Sequence, residues 1–210
     1  MTMDKNDLLK IIAQKGYDIG FGAKKHFATY DLVEKVPNYI GLIVLFVGIL
    51  QLGFPEFTSS KLLAVALILV SIIALFINLY ASGKDKYEEA GIKLTKLFNK
   101  LKKLYYTVKN NQDNTLQKYI DELNDIESEF YSVSITKQIF LSDWFAHFKF
   151  FNELQIDWID EQLSFKFFKD KFPKSLMCFF IVVILFLIIT FVYITTLSHN
   201  GSKLCICTIL

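Results

Sequence analysis

The chain contains no arginine: all 23 of its basic residues are lysine. The guanidinium fork, the preferred two-pronged grip on phosphates, is therefore missing, and no direct nucleic-acid binding is expected. Cysteine is scarce, with Cys178 inside an apolar run and Cys205 and Cys207 near the end of the sequence. No CxxC pair and no Cys/His spacing suits zinc. The three histidines, His26, His147 and His199, have no metal-ligand partner at helical spacing, so no cofactor is expected. There is no glycine-rich phosphate loop and no nucleophile elbow, and the chain reads as non-enzymatic, with no catalytic residue. The N-terminal segment is polar where a cleaved signal peptide would be apolar. Cys207-Thr208-Ile209-Leu210 formally match a prenylation box, which means little in a bacterium, the origin that the lysine-only, AT-rich-type composition favours.

The most informative absence is of charge within three long apolar runs, about Tyr39–Phe54, Leu62–Tyr80 and Leu176–Leu197. A bilayer core of roughly 30 Å takes about 20 apolar helical residues. The second and third runs fit; the first reaches that length with Val36–Asn38. The fold class is accordingly an all-α membrane protein. Its parts are an N-terminal helix, a transmembrane helical hairpin, a cytoplasmic helical hairpin plus aromatic-rich helix, and a C-terminal third transmembrane helix. Lysines crowd the flanks before span one, after span two and before span three, whereas the short loop has Lys61 and the tail Lys203. The positive-inside bias then sets the orientation. Residues 1–38 form a cytoplasmic amphipathic segment, 39–81 the hairpin, 82–174 a cytoplasmic helical domain, 175–198 the third span and 199–210 a short extracytoplasmic tail. The expected location is the bacterial inner (plasma) membrane. Pro55 should break the helix at the hairpin loop, and Thr58, Ser59 and Ser60 are candidate N-caps for span two.

In the cytoplasmic part, Leu94, Leu97, Leu101, Leu104 and Val108 form one amphipathic stripe. Asn110–Asn114 is a turn, and a second stripe follows through Leu116, Tyr119, Ile120, Leu123, Ile126, Phe130 and Val133. Two helices so joined should pair antiparallel. Leu97, Leu101, Leu104, Leu123 and Ile126 either close that hairpin or also assemble subunits. The acidic run Asp121, Glu122, Asp125, Glu127 and Glu129 is expected to face Lys93–Lys103 across the hairpin, and His147 to pair with Asp143. Ser142-Asp143 reads as the cap of an aromatic helix from Trp144 toward Phe172. Its first part suits packing on the hairpin and Phe165–Lys174 suits the headgroup layer.

Within the spans, Gly41, Gly48 and Gln51 recur on one face of span one, and Ala64, Ser71, Ala74 and Asn78 on one face of span two. Small and polar residues in a membrane helix mark close packing or entry of water. Both readings stand for these faces: they pack on each other, or they line a path in an oligomer. The missing midplane charges argue against a coupled transporter but not against a weakly selective pore. Span three, with hydroxyls only at Thr190, Thr195 and Thr196, reads as a lipid-facing anchor.

The segment Tyr17-Asp18-Ile19-Gly20-Phe21-Gly22-Ala23-Lys24-Lys25-His26-Phe27-Ala28-Thr29-Tyr30-Asp31 resembles the opening signature of the SLATT domain, closest to its fifth subgroup. The resemblance carries Tyr17, Gly20, Gly22, Lys24, Lys25, Tyr30 and Asp31 as signature positions. It implies a membrane effector of a bacterial anti-phage or conflict system, oligomeric, which permeabilises or depolarises the membrane when triggered, as in abortive infection. It also implies a functional link to a reverse transcriptase or a nucleotide-second-messenger system. The alternative is a non-enzymatic anchor or scaffold for such a cytoplasmic partner. Physically, Lys24 and Lys25 suit anionic headgroups, at about 1 kcal/mol each, and Gly20 and Gly22 permit close packing or a bend.

Overall fold

The computed structural model describes residues 4–54, 60–111 and 116–207 and is helical, with no strand among the described residues. The expected features at Pro55, Thr58, Ser59 and Gln112–Asn114 lie outside the described residues. Two compact units are present, Met1–Ser164 and Phe165–Leu210.

Unit one is organised on a single helix, α1 (Lys5–Gly53), of 49 residues, or about 74 Å at 1.5 Å per residue. Asp4 caps it, its side chain accepting from the Asp7 N–H at 2.7 Å. The separate lead-in helix and first span expected from the sequence are thus one element. No glycine or turn cluster interrupts it, and Pro37 lies inside it. Its first half carries buried residues at three- and four-residue steps, among them Leu8, Ile12, Ile19, Ala23, His26 and Val33. Its second half is apolar and exposed, with Leu42 at 63% and Phe46 at 62%. One helix therefore spans two solvents: a core-facing stripe in the bundle, then the all-round hydrophobicity of a lipid-facing span.

α2 (Lys61–Asn78) returns antiparallel along that second half. Ser60 is its N-cap, the hydroxyl accepting from Leu63 N–H at 3.3 Å. A 3₁₀ turn, Ala81–Gly83, joins it almost without a break to α3 (Lys84–Asn110). The loosened join expected at Ser82-Gly83 is this turn. α4 (Gln117–Val133), α5 (Ser142–Glu153) and α6 (Asp157–Leu163) complete the unit. The aromatic helix expected from Trp144 to Phe172 is broken twice. Leu154 is extended, and Ser164 takes a left-handed φ of 50°.

The α3 stripe is buried as expected, but its principal partner is α1, with α4 second. Leu97, Leu101, Leu104, Leu123 and Ile126 are all buried within the single chain. The reason is geometric: a two-helix hairpin leaves half of each stripe wet, and α1 covers it. Trp158 seals the other side, 1% exposed, its ring centroid 5.6 Å from Phe98 and 5.2 Å from Tyr105.

Unit two contains the short α7 (Phe167–Asp170) and the long apolar α8 (Lys174–Cys207). Thr190, Thr195 and Thr196 donate back to carbonyls of their own helix at 2.8–3.0 Å, so these hydroxyls meet their needs without a partner helix. Among the described residues, α1, α2 and α8 are three helices long and apolar enough to cross a membrane, none buried over its apolar stretch. The protein is an integral membrane protein.

Candidate functional site

The signature segment forms the middle of α1, where it is the ridge on which the bundle assembles. A Cβ at Gly16 would lie 2.3 Å from the Trp158 ring, and one at Gly20 would lie 2.8 Å from Phe98 and 3.0 Å from Phe150. Gly91 on α3 does the same for Phe27, at 2.9 Å. These glycines let aromatic rings press onto bare helix backbone, which answers the choice between close packing and a bend. Gly22 is less tight, 3.4 Å from Phe130. Tyr17 meets Phe150 edge-on at 5.2 Å, and Tyr30 is half-buried. Gly16 and Gly91 were not singled out by sequence pattern; the i, i+4 spacing of Gly16 and Gly20 in a long helix is the signal that points to Gly16, and no comparable spacing marks Gly91.

The lysines of the segment each reach a carboxylate of the bundle. Lys24 reaches Glu153 at 3.3 Å and Lys25 reaches Asp143 at 2.7 Å, both on α5. Asp143 thus pairs with Lys25, and the His147 ring lies against Phe151 at 4.8 Å. Asp31 pairs with Lys35 at 2.6 Å and with Lys149. Burial alone would raise the Asp31 carboxyl, but the two ammonium groups outweigh it and hold it below the ordinary value. On the acidic helix, Glu127 binds Lys15 of α1 at 2.5 Å rather than the lysines of α3. That bond holds the Glu127 carboxyl down and the Lys15 ammonium up. Packing of α4 over α1 brings the two together, a consequence of the third helix in the bundle.

A clip that the sequence did not reveal fastens the segment after α4. His26 is buried; its Nδ1 donates to the Gly22 carbonyl at 2.7 Å and its Nε2 accepts from the Ile135 N–H at 3.0 Å. Those two bonds together require the neutral ring with its proton on Nδ1. Burial depresses the imidazole, consistent with that state. Three residues on along α1, Thr29 donates to the Gln138 side chain at 2.5 Å, and the Tyr87 hydroxyl donates to the Lys137 carbonyl at 2.6 Å. A histidine without sequence neighbours thus holds a backbone, not a metal. Among the described residues, no three His, Cys, Asp or Glu side chains converge on a metal position.

In the membrane hairpin, Ile40, Val44, Val47 and Gln51 of α1 are half-buried, as are Leu63, Leu67, Val70, Ala74 and Ile77 of α2. These steps of three and four make the seam between the helices. Of the positions singled out from the sequence, Gln51 and Ala74 lie on it, and Ser71 lies beside it with its hydroxyl donating to the Leu67 carbonyl at 2.8 Å. Ala64 and Asn78 are exposed, and a Cβ on Gly41 or Gly48 would meet nothing within 4 Å. Gly41 is exposed and Gly48 half-buried, and both leave open space where a side chain would stand. Antiparallel pairing puts Gln51 and Asn78 at opposite ends of the hairpin.

No curated protein and no solved structure matches the chain. A family model does: residues 3–180 match the SMODS and SLOG-associating 2TM effector domain 6. The matching model is the sixth of its kind, where the signature had looked closest to the fifth, so the reverse-transcriptase link implied by that subgroup loses its support. The match takes in the signature helix, both hairpin spans and the whole bundle, and stops just inside α8. The ridge of glycines, the bundle it organises and the membrane hairpin it continues into are thus parts of one domain, and the chain belongs to the SMODS and SLOG-associating 2TM effector family, whose members act at membranes in conflict systems.

Proposed function

We propose that the chain is the membrane-permeabilising arm of a bacterial defence system, with the bundle in the cytoplasm, and that protomers assemble through the hairpin to depolarise the inner membrane in abortive infection. The observation that carries this reading is the open face of Gly41 and Gly48 on a two-helix hairpin. Two helices cannot enclose water, and in lipid such small-residue faces are where helices approach closely. Gln51 and Asn78 then supply polar side chains at the two mouths of an otherwise apolar path, which gates by wetting and drying. The unbroken α1 ties the bundle core rigidly to span one, so a rearrangement of the bundle by a nucleotide-signalling partner turns the span directly.

The test is controlled induction in bacteria with a voltage-sensitive dye and a separate large-dye uptake assay. Depolarisation should precede loss of viability, and Gly41→Leu, Gln51→Leu and Asn78→Leu should weaken it while membrane insertion stays normal. Unchanged potential with the genomic partners present and under phage challenge would refute it. The second reading, a scaffold for a cytoplasmic partner, draws on the exposed ridge of Asp121, Asp125 and Glu129 on α4. It predicts partner recruitment to the membrane without depolarisation.

A further inference from the structure

Where the hairpin meets the bundle, an apolar groove of about 440 Å³ opens between three elements. Leu32 and Val36 of α1 form one wall, Ile73 and Phe76 of α2 a second, and Ile139 and Phe140 of the turn after α4 the third. That volume lies in the range of sites for small ligands. We infer that the groove holds one acyl chain of an anionic phospholipid, whose headgroup is caught by Lys137.

The position of the walls selects the occupant. Ile73 and Phe76 are 53% and 67% exposed and belong to a membrane span, so the groove continues the lipid-facing surface of the hairpin and opens sideways into the acyl layer. Its lining is aliphatic and aromatic, with Tyr80 the one polar-tipped side chain. An extended peptide segment entering it would bring backbone N–H and C=O groups with nothing to take their hydrogen bonds, and a helix is too wide for a groove of this volume. Hydrocarbon has no such requirement.

The third wall is built for the membrane surface. Phe140 is 79% exposed and lies in one contiguous apolar patch with the exposed Ile73 and Phe76 of the same groove. Leu141 is held at a φ of 72°, a left-handed conformation costly for a leucine, and is itself 40% exposed. The clip of His26, Thr29 and Tyr87 on residues 135, 138 and 137 fixes this turn in place. At the rim, the Lys137 ammonium stands 5.2 Å from the centre of the Tyr80 ring. On the helices that lead to the groove, Lys35 of α1 and Lys84 of α3 are engaged by Asp31 and Glu34. Lys137 has no carboxylate partner among the described residues, which leaves its charge for a phosphate.

The test uses the full chain in nanodiscs of mixed phosphatidylcholine and phosphatidylglycerol, released for native mass spectrometry. Wild-type protein should retain one phosphatidylglycerol per protomer. Ile73→Trp, which fills the groove, should lose it. Lys137→Gln should lower the preference for phosphatidylglycerol about fivefold, the value of one basic residue at an anionic surface. Leu45→Trp, elsewhere on the lipid-facing surface, should retain it, with helicity by circular dichroism equal in all variants. A readout without variants is quenching by acyl-brominated phosphatidylglycerol in detergent. Trp144, its ring 6.1 Å from Phe140, should quench and saturate at one lipid per protomer. Retention unaffected by Ile73→Trp, loss shared by Leu45→Trp, or no saturable quenching overturns the site. Equal retention of both lipids overturns the headgroup assignment. Cross-linking of Phe140→Cys in one protomer to Phe76→Cys in another would show a second copy in the groove instead.

Discussion

Replacing Gly16 by alanine should destabilise the bundle, although alanine is the best helix former and glycine nearly the worst. In an open helix the change would gain about 1 kcal/mol. Here the new methyl would stand 2.3 Å from Cη2 of Trp158, 2.9 Å from Cζ2 and 3.1 Å from Cζ3, so the ring must retreat by about 1 Å. It has nowhere to go: Trp158 is 1% exposed and flanked by Phe98 and Tyr105. Overpacking of this kind costs about 1–3 kcal/mol, and the net loss after the helix gain is about 1 kcal/mol, or roughly fivefold in the folded-to-unfolded ratio. Urea unfolding of the full chain in a mild detergent, followed by tryptophan emission, measures it. Gly41→Ala is the internal control, because its methyl meets nothing within 4 Å, and it should be neutral or stabilising. Adding Trp158→Phe to Gly16→Ala should recover most of the loss. The smaller ring makes room and removes an indole N–H that has no hydrogen-bond partner among the described residues. Equal stability of Gly16→Ala and Gly41→Ala would refute the reasoning, since both would then report helix propensity alone.

Other consequences follow from the charged and polar contacts. Asp31→Asn removes the negative charge and one of the two acceptor oxygens, and the weakened bond to Lys149 should cost about 2 kcal/mol at neutral pH. Because the carboxyl is held below its ordinary 3.8, its contribution is full above that pH and fades as pH falls through the depressed native value. The variant should therefore show a flatter acid limb in thermal melts. His26 is depressed from 6.5, so the unfolded chain takes up a proton before the folded one does. Stability should fall as pH drops below about 6.5, and His26→Gln should remove that dependence. Thr29→Val should cost about 1 kcal/mol and raise amide hydrogen exchange at residues 135–138, with little change in α3.

Residues Tyr39–Phe54, Leu62–Tyr80 and Leu176–Leu197 identify a membrane protein from composition alone, because a long uncharged helix has a low-energy home only in lipid. The Leu94–Val108 stripe was equally legible, since helical periodicity is local. So was the signature segment, which pointed to the right family. What local pattern does not carry is which stripe meets which. Leu97, Leu101 and Leu104 serve α1 as much as α4, Glu127 finds Lys15 across more than a hundred residues, and Lys25 finds Asp143 at a similar separation. These pairings follow from α1 passing unbroken through the bundle, and from aromatic rings that reach its backbone only where Gly16 and Gly20 leave room. Gly41 and Gly48 look the same in sequence as Gly16 and Gly20, yet one pair is filled and the other open. The sequence determined that the chain spans a membrane by helices, through hydrophobicity summed along each run. Only the tertiary structure decided which small residues are already packed and which stand open, because that depends on contacts between segments far apart in the chain.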